Sequence, residues 1–230
     1  RNDSKITMAA LMMMAAMAMT SCASSKKING DSNVSKDSEM GKNEEDLDNS
    51  YLVLSDTQQD IVKKNNAFAL RLFNKVTDME SKVISPMSVS YLMGMLANGA
   101  DGITQQEILK AIGCEGVSVS DLNELYKAML LTANKQDKQT TVNIANYIAV
   151  NKNFKLNKDF SQQVSDGYQA GIESLDFTSS KSTDRINGWC KEKTNGMIPR
   201  IIDQVSADAV SYLMNAIYFK GTWQNKFNAK

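Results

Sequence analysis

The sequence predicts an α+β domain in which several N-terminal helices pack on a mainly antiparallel central sheet, and three observations predict it. Four segments of helical period precede the first clear strand. Two long runs of strand period follow late in the chain, and helices and strands do not alternate in the regular βαβ order of a doubly wound sheet.

Taken in order, Ile61, Phe68, Leu72 and Val76 fall at helical spacing with Lys63, Lys64, Asn65 and Arg71 between them, a surface helix with one buried stripe that opens the folded region near Asp56. Ser85 is suited to cap the next helix, and Pro86 to its first position, where a missing N–H costs nothing. Val89, Leu92, Met93 and Leu96 then lie on a nearly all-apolar helix that belongs inside the domain. Gly99 and Gly102 break it. Thr104 and Glu107 have capping-box spacing and open a short helix that Gly113 closes. Leu122, Leu125, Tyr126 and Met129 share one face of a fourth helix running toward Asn134.

From Thr140 to Val150 the period becomes two, with Val142, Ile144, Ile148 and Val150 on one side and Thr141, Asn143, Ala145, Tyr147 and Ala149 on the other. Asn157 caps a helix carrying Phe160, Val164 and Tyr168, and a short strand is expected from Ile172 to Phe177. Thr183 is expected to open a helix bearing Ile186, Trp189 and Cys190 that ends at Gly196, and Val210 to Lys220 reads as a second long strand.

Residues 1–22 have the outline of an export signal: Arg1 and Lys5, an apolar stretch from Met8 to Met19, then small residues before Cys22. That stretch is short of the roughly 20 residues a spanning helix needs. Cys22 is placed like the lipid-accepting thiol of a bacterial lipobox, with Met19 where Leu is usual; a plain secretion signal with an incidental cysteine is the other reading. Residues 23–55 are polar and charged and read as a flexible tether, and 56–230 as the folded part. The stop at Lys230, directly after a strand-like run, leads us to expect the N-terminal part of a larger domain, whose half-built sheet would aggregate if made alone.

Composition narrows function. With 26 Lys+Arg against 26 Asp+Glu there is no electrostatic footprint for a phosphate backbone, so nucleic acid is not an expected partner. The absence of histidine removes the usual general base of Ser and Cys hydrolases and the commonest metal ligand. No phosphate-binding glycine loop or hydrolase motif occurs, and Cys22, Cys114 and Cys190 lack the close pairing of a zinc site. No enzyme activity, cofactor or metal is expected, and Cys114 and Cys190 read as buried free thiols.

One run carries a family resemblance. Asn215, Ala216, Tyr218, Phe219, Lys220, Gly221, Trp223 and Phe227 match the pattern N-A-x-Y-F-K-G-x-W-x-x-x-F, the signature around a central-sheet strand of serpins. In the same order as that family, Asn66, Phe68, Ala69, Leu72 and Phe73 resemble its first helix. Ser85, Pro86, Ser88, Gly99, Ala100, Gly102 and Thr104 resemble its second helix and the turn beyond. Asn146 sits in a strand like the family's, and Ile186, Asn187, Trp189, Thr194, Gly196 and Ile198 resemble the helix lying across the sheet. Ser81, where Asn is frequent, and Met197, where Lys is common, depart from the pattern.

The resemblance implies a protease inhibitor rather than an enzyme. In such proteins a serine or cysteine protease cuts an exposed loop, which then inserts as a further strand into the central sheet and distorts the trapped acyl-enzyme. It implies a shutter region at Ser85, Ser88 and Asn215 and a breach region at Trp223. Spacing alone also admits Ser85 as a simple cap, Ser88 as a small residue and Trp223 as a core aromatic. The expected partner is a target protease. Membrane contact is expected only through a lipid anchor at Cys22, on a bacterial cell envelope or in the extracellular space. A non-inhibitory binding lipoprotein on the same scaffold is the alternative.

Overall fold

The computed structural model describes residues 52–76, 81, 83–133 and 140–223. The export signal with Cys22 and nearly all of the tether lie outside them.

Helix α1 (Asp56–Val76) begins with a capping box that the sequence reading passed over: Ser55 Oγ accepts from Gln58 N at 3.2 Å, and Gln58 Oε1 accepts from Ser55 N at 3.1 Å. Helix α2 (Pro86–Asn98) is capped by Ser85 with Pro86 in its first turn, as expected. As expected of an inside helix, it is largely buried. Tyr91, Met95, Ala97 and the small residues Ser88, Ser90 and Gly94 face inward, whereas Leu96 is 45% exposed and Val89, Leu92 and Met93 are half-buried. Small side chains let the helix approach its neighbours closely, and an almost uniformly apolar helix offers no polar contrast from which to read its inner face.

Helix α3 (Gly102–Ala111) is capped by Asp101, whose carboxylate accepts from Gly102 N; Thr104 and Glu107 lie exposed inside the helix and form no cap. Its end is the glycine stop expected of Gly113, at φ +78, with Gly113 N donating to Lys110 O at 2.9 Å and Cys114 N to Leu109 O at 2.8 Å, a Schellman motif. A Cβ at Gly113 would stand 2.8 Å from Arg71 Nη2 and 3.4 Å from Lys64 O. Gly113→Ala is therefore expected to cost about 1–2 kcal/mol in chemical denaturation; a change below a few tenths would contradict this account. Helix α4 spans Val119–Ala133.

Strand β1 (Thr140–Asn151) is followed by helix α5 (Lys158–Tyr168), capped as expected by Asn157, whose Oδ1 accepts from Asp159 N at 2.7 Å. Strand β2 (Gly171–Leu175) ends before the expected Phe177, because Asp176 turns the chain by accepting from Thr178 N and Thr178 Oγ1. Helix α6 (Ser180–Lys193) starts at the Ser179 cap, one turn earlier than Thr183, whose hydroxyl instead accepts from Val205 N. Strand β3 is Ser211–Gly221.

The sheet order is β2-β1-β3. Strand β1 runs antiparallel to β3 from Thr140↔Gly221 to Val150↔Ser211, and parallel to β2 from Tyr147↔Gly171 to Asn151↔Leu175. Strict alternation along β1 feeds two cores. Ile144, Ile148 and Val150 join the layer built by α1 to α5, around the packed rings of Tyr91, Tyr126 and Tyr168. Ala145, Tyr147 and Ala149 join Phe177, Ile186, Trp189 and Met214 beneath α6 on the other face. The sheet is thus covered on both sides.

Candidate functional site

The start of α2 carries two buried hydroxyls. Ser85, in extended backbone at φ −123 and ψ 91, accepts at Oγ from Ser88 N at 3.2 Å, and Ser88 Oγ donates to the same oxygen at 2.9 Å. Capping alone would leave Ser85 at the surface, yet it is fully buried, and Ser88 is 5% exposed. Ser85→Ala removes the cap and strips Ser88 Oγ of its acceptor. We expect a loss of about 1–2 kcal/mol in thermal or urea unfolding, against little change if the cap alone were made good by water.

Helix α2 packs against β3, and the inward face of β3 there presents Leu213 and, two residues on, Asn215. The register sets Asn215 opposite Asn146 on β1. Asn215 Nδ2 donates to Asn146 Oδ1 at 2.8 Å and lies 3.4 Å from Ala145 O, while Asn146 Nδ2 donates to Tyr168 O at 2.8 Å. Both asparagines are buried. Asn215 Oδ1 is buried without a partner among the described residues. The structure brings the predicted Ser85, Ser88 and Asn215 to the start of α2 and to the strand it packs on. The two serines bond to each other and Asn215 bonds to Asn146.

Asn146 and Tyr168 are the members that reasoning from sequence missed as site residues. The signal was present for Asn146: an amide at an inward position between Ile144 and Ile148 has to find a partner inside. Tyr168 contributes its carbonyl, which no side-chain pattern announces.

Strand β3 stands at the rim of the sheet, paired on one edge by β1 among the described residues. Trp223, just beyond it, is 70% exposed among the described residues. The opposite face of the strand pair is held by α6. Trp189 stacks on Tyr147 with centroids 5.0 Å apart, and Tyr147 Oη donates to Glu173 at 2.7 Å. Arg185 pairs with Glu173 at 2.8 Å, and Asn143 Nδ2 donates to Lys193 O at 2.9 Å. Burial, followed by the Glu173 carboxylate, holds the Tyr147 phenol protonated well above the ordinary tyrosine range.

Cys114 and Cys190 are the buried free thiols expected, and burial pushes each up to about 11, so both are protonated at neutral pH. The arrangement sets a buried polar cluster on β1 and β3 beneath a strand that, among the described residues, pairs with β1 alone.

The family model described as Serpin (serine protease inhibitor) matches residues 63–230. Serine protease inhibitor 42Dd of Drosophila melanogaster is 31% identical over 161 residues, covering 69% of this chain and 43% of the fly protein. Alpha-1-antiproteinase of Rattus norvegicus is 28% identical over 195 residues, covering 82% of this chain and 47% of the rat protein. The crystal structure of the thermophilic serpin tengpin in the latent state superposes with a TM-score of 0.70 at 33% identity, over 77% of this chain and 47% of tengpin. The chain thus spans about half the length of the curated relatives it matches. Among the described residues, six helices on a mixed three-stranded sheet form part of that larger fold, and this chain belongs to the serpin family.

Proposed function

We propose that the protein bearing this chain inhibits a serine or cysteine protease by inserting its own cleaved loop beside β3. The observation that supports the reading is the buried Ser85, Ser88 and Asn215, at the start of α2 and on the strand that α2 packs against, in a chain of the serpin family. A strand arriving along Ser211–Gly221 would satisfy the edge N–H and C=O groups of β3. The protease's serine or cysteine bonds to the loop carbonyl as the peptide amine leaves. Insertion then carries the ester or thioester away before water can attack it.

The test uses the full-length protein mixed separately with trypsin, chymotrypsin and papain. A complex that survives SDS supports inhibition. Clean cleavage of the loop without a complex, and without thermal stabilisation of the cut protein, overturns it and favours a non-inhibitory binding protein. For location, the reading places the protein outside a bacterial cell, held by an acylated Cys22. Cys22→Ser should then move it from the membrane fraction to the medium and abolish fatty-acid labelling. Retention of label in that variant would overturn the anchor.

A further inference from the structure

The Asn215–Asn146–Tyr168 hydrogen bonds do not end at Tyr168. The hydroxyl of that same residue donates to Asn123 Oδ1 on α4 at 2.8 Å. Asn123 and Asn98 form a reciprocal amide pair across α4 and α2, with Asn123 Nδ2 donating to Asn98 Oδ1 at 2.8 Å and Asn98 Nδ2 to Asn123 Oδ1 at 2.9 Å. Asn98 Nδ2 also lies 2.8 Å from Gly94 O, which anchors it to its own helix. Gly94 is what makes room: a Cβ there would overlap the Tyr168 hydroxyl and stand 3.0 Å from Tyr126 Cε2. A continuous polar line therefore runs from the rim strand through β1 and the end of α5 into the α2–α4 seam.

We propose that the Asn98–Asn123 pair, acting through Tyr168, positions the asparagines beneath β3 and so sets how readily the β1–β3 pair slides over the helical layer. The amide pair is fixed by two reciprocal bonds and locks Asn123 Oδ1 in place. Asn123 in turn fixes the Tyr168 ring, already wedged edge-on between Tyr91 and Tyr126. The ring and the Tyr168 carbonyl belong to one residue at the last position of α5, so a ring held still holds the carbonyl that Asn146 needs. Bonds in such a chain polarise and orient one another, and loosening one end is felt at the other. Its consequence for inhibition rests on the loop-insertion reading above; the positioning itself concerns β1 and β3 alone.

Hydrogen exchange in the full-length protein tests it. Tyr168→Phe deletes only the hydroxyl. We expect amides in 144–147 and 213–216 to exchange roughly three- to tenfold faster, the factor that follows from one modest hydrogen bond. Asn65→Ala is the control. It breaks the Tyr126–Asn65 contact at 3.2 Å, in the same aromatic cluster but off the line to Asn146, and should leave those amides within about twofold. Gly94→Ala should reproduce the effect of Tyr168→Phe, and the double variant should show less than the sum, because removing the hydroxyl relieves the nearest overlap. Equal exchange at these amides in Tyr168→Phe and Asn65→Ala, or strict additivity in the double variant, overturns the inference. If the protein forms no protease complex yet its amides respond as stated, the inhibitory reading fails and the positioning stands. If it does inhibit, Tyr168→Phe should also shift the ratio of trapped to released protease, whereas Asn65→Ala should not.

Discussion

Trp189→Ala is expected to cost about 3–5 kcal/mol, a large share of the roughly 5–15 kcal/mol that holds a domain together. The indole is 5% exposed and lies on Tyr147, among Phe177, Ile186, Val205 and Met214, so its removal leaves a cavity on the face of the sheet that α6 covers. Little else can fill the gap. Ile186 and Cys190 also bury apolar surface there, but the other ties of α6 to the sheet are polar and half-exposed. Arg185–Glu173 sits at 46% and 35% side-chain exposure, where an ion pair contributes modestly after screening. Asn143 to the Lys193 carbonyl is a single neutral bond. Urea unfolding of the full-length protein, followed by far-ultraviolet circular dichroism, checks the value. A midpoint shift worth less than about 1 kcal/mol at unchanged m would show that α6 is held by something other than this indole.

How the chain folds was legible where one residue type has one physical use. Pro86 after Ser85, and Asn157 before a helical stripe, mark helix starts because few other positions suit them, and both occur as read. The alternation along β1 separated Ile144, Ile148 and Val150 from Ala145, Tyr147 and Ala149, which enter the two different cores, since a slip of one residue would reverse every one of them. Reading failed where several residues compete for one task. Ser179, Ser180, Ser182 and Thr183 are all able to cap α6; Ser179 does so, while Ser182 bonds Asp176 O and Thr183 serves the distant Val205. Such tertiary uses leave no trace in spacing.

The site divides the same way. Ser85, Ser88 and Asn215 were named through a family resemblance, and the structure finds all three buried, with Ser85 capping α2. The partnership of Asn215 with Asn146 depends on strand register between residues far apart in sequence, which no local pattern encodes. Trp223 was likewise named through the resemblance, because an aromatic side chain carries the same hydrophobic content whether or not the rest of a fold reaches it.

Asn146→Ala is the second substitution with a large expected effect, about 2–4 kcal/mol, and it differs in kind from the loss of Trp189. Removing the amide leaves the Tyr168 carbonyl without its donor and Asn215 Nδ2 with only the long contact to Ala145 O. Among the described residues, Asn215 would then keep only that one long bond. The destabilisation is therefore concentrated on β3, the strand beside which we propose that the loop inserts. A core cavity weakens the folded state generally, whereas this change selectively weakens the arrangement in which β3 is seated on α2. In the full-length protein we expect Asn146→Ala both to lower the unfolding midpoint and to speed conversion to an inactive, loop-inserted form on incubation below that midpoint. Trp189→Ala, costing at least as much in unfolding, serves as the comparison for whether that conversion tracks overall stability. Conversion rates that follow the two stability losses alone would deny the asparagine pair any special part. A faster conversion in Asn146→Ala, despite its smaller loss, would place control of the sheet at the Asn146–Asn215 contact.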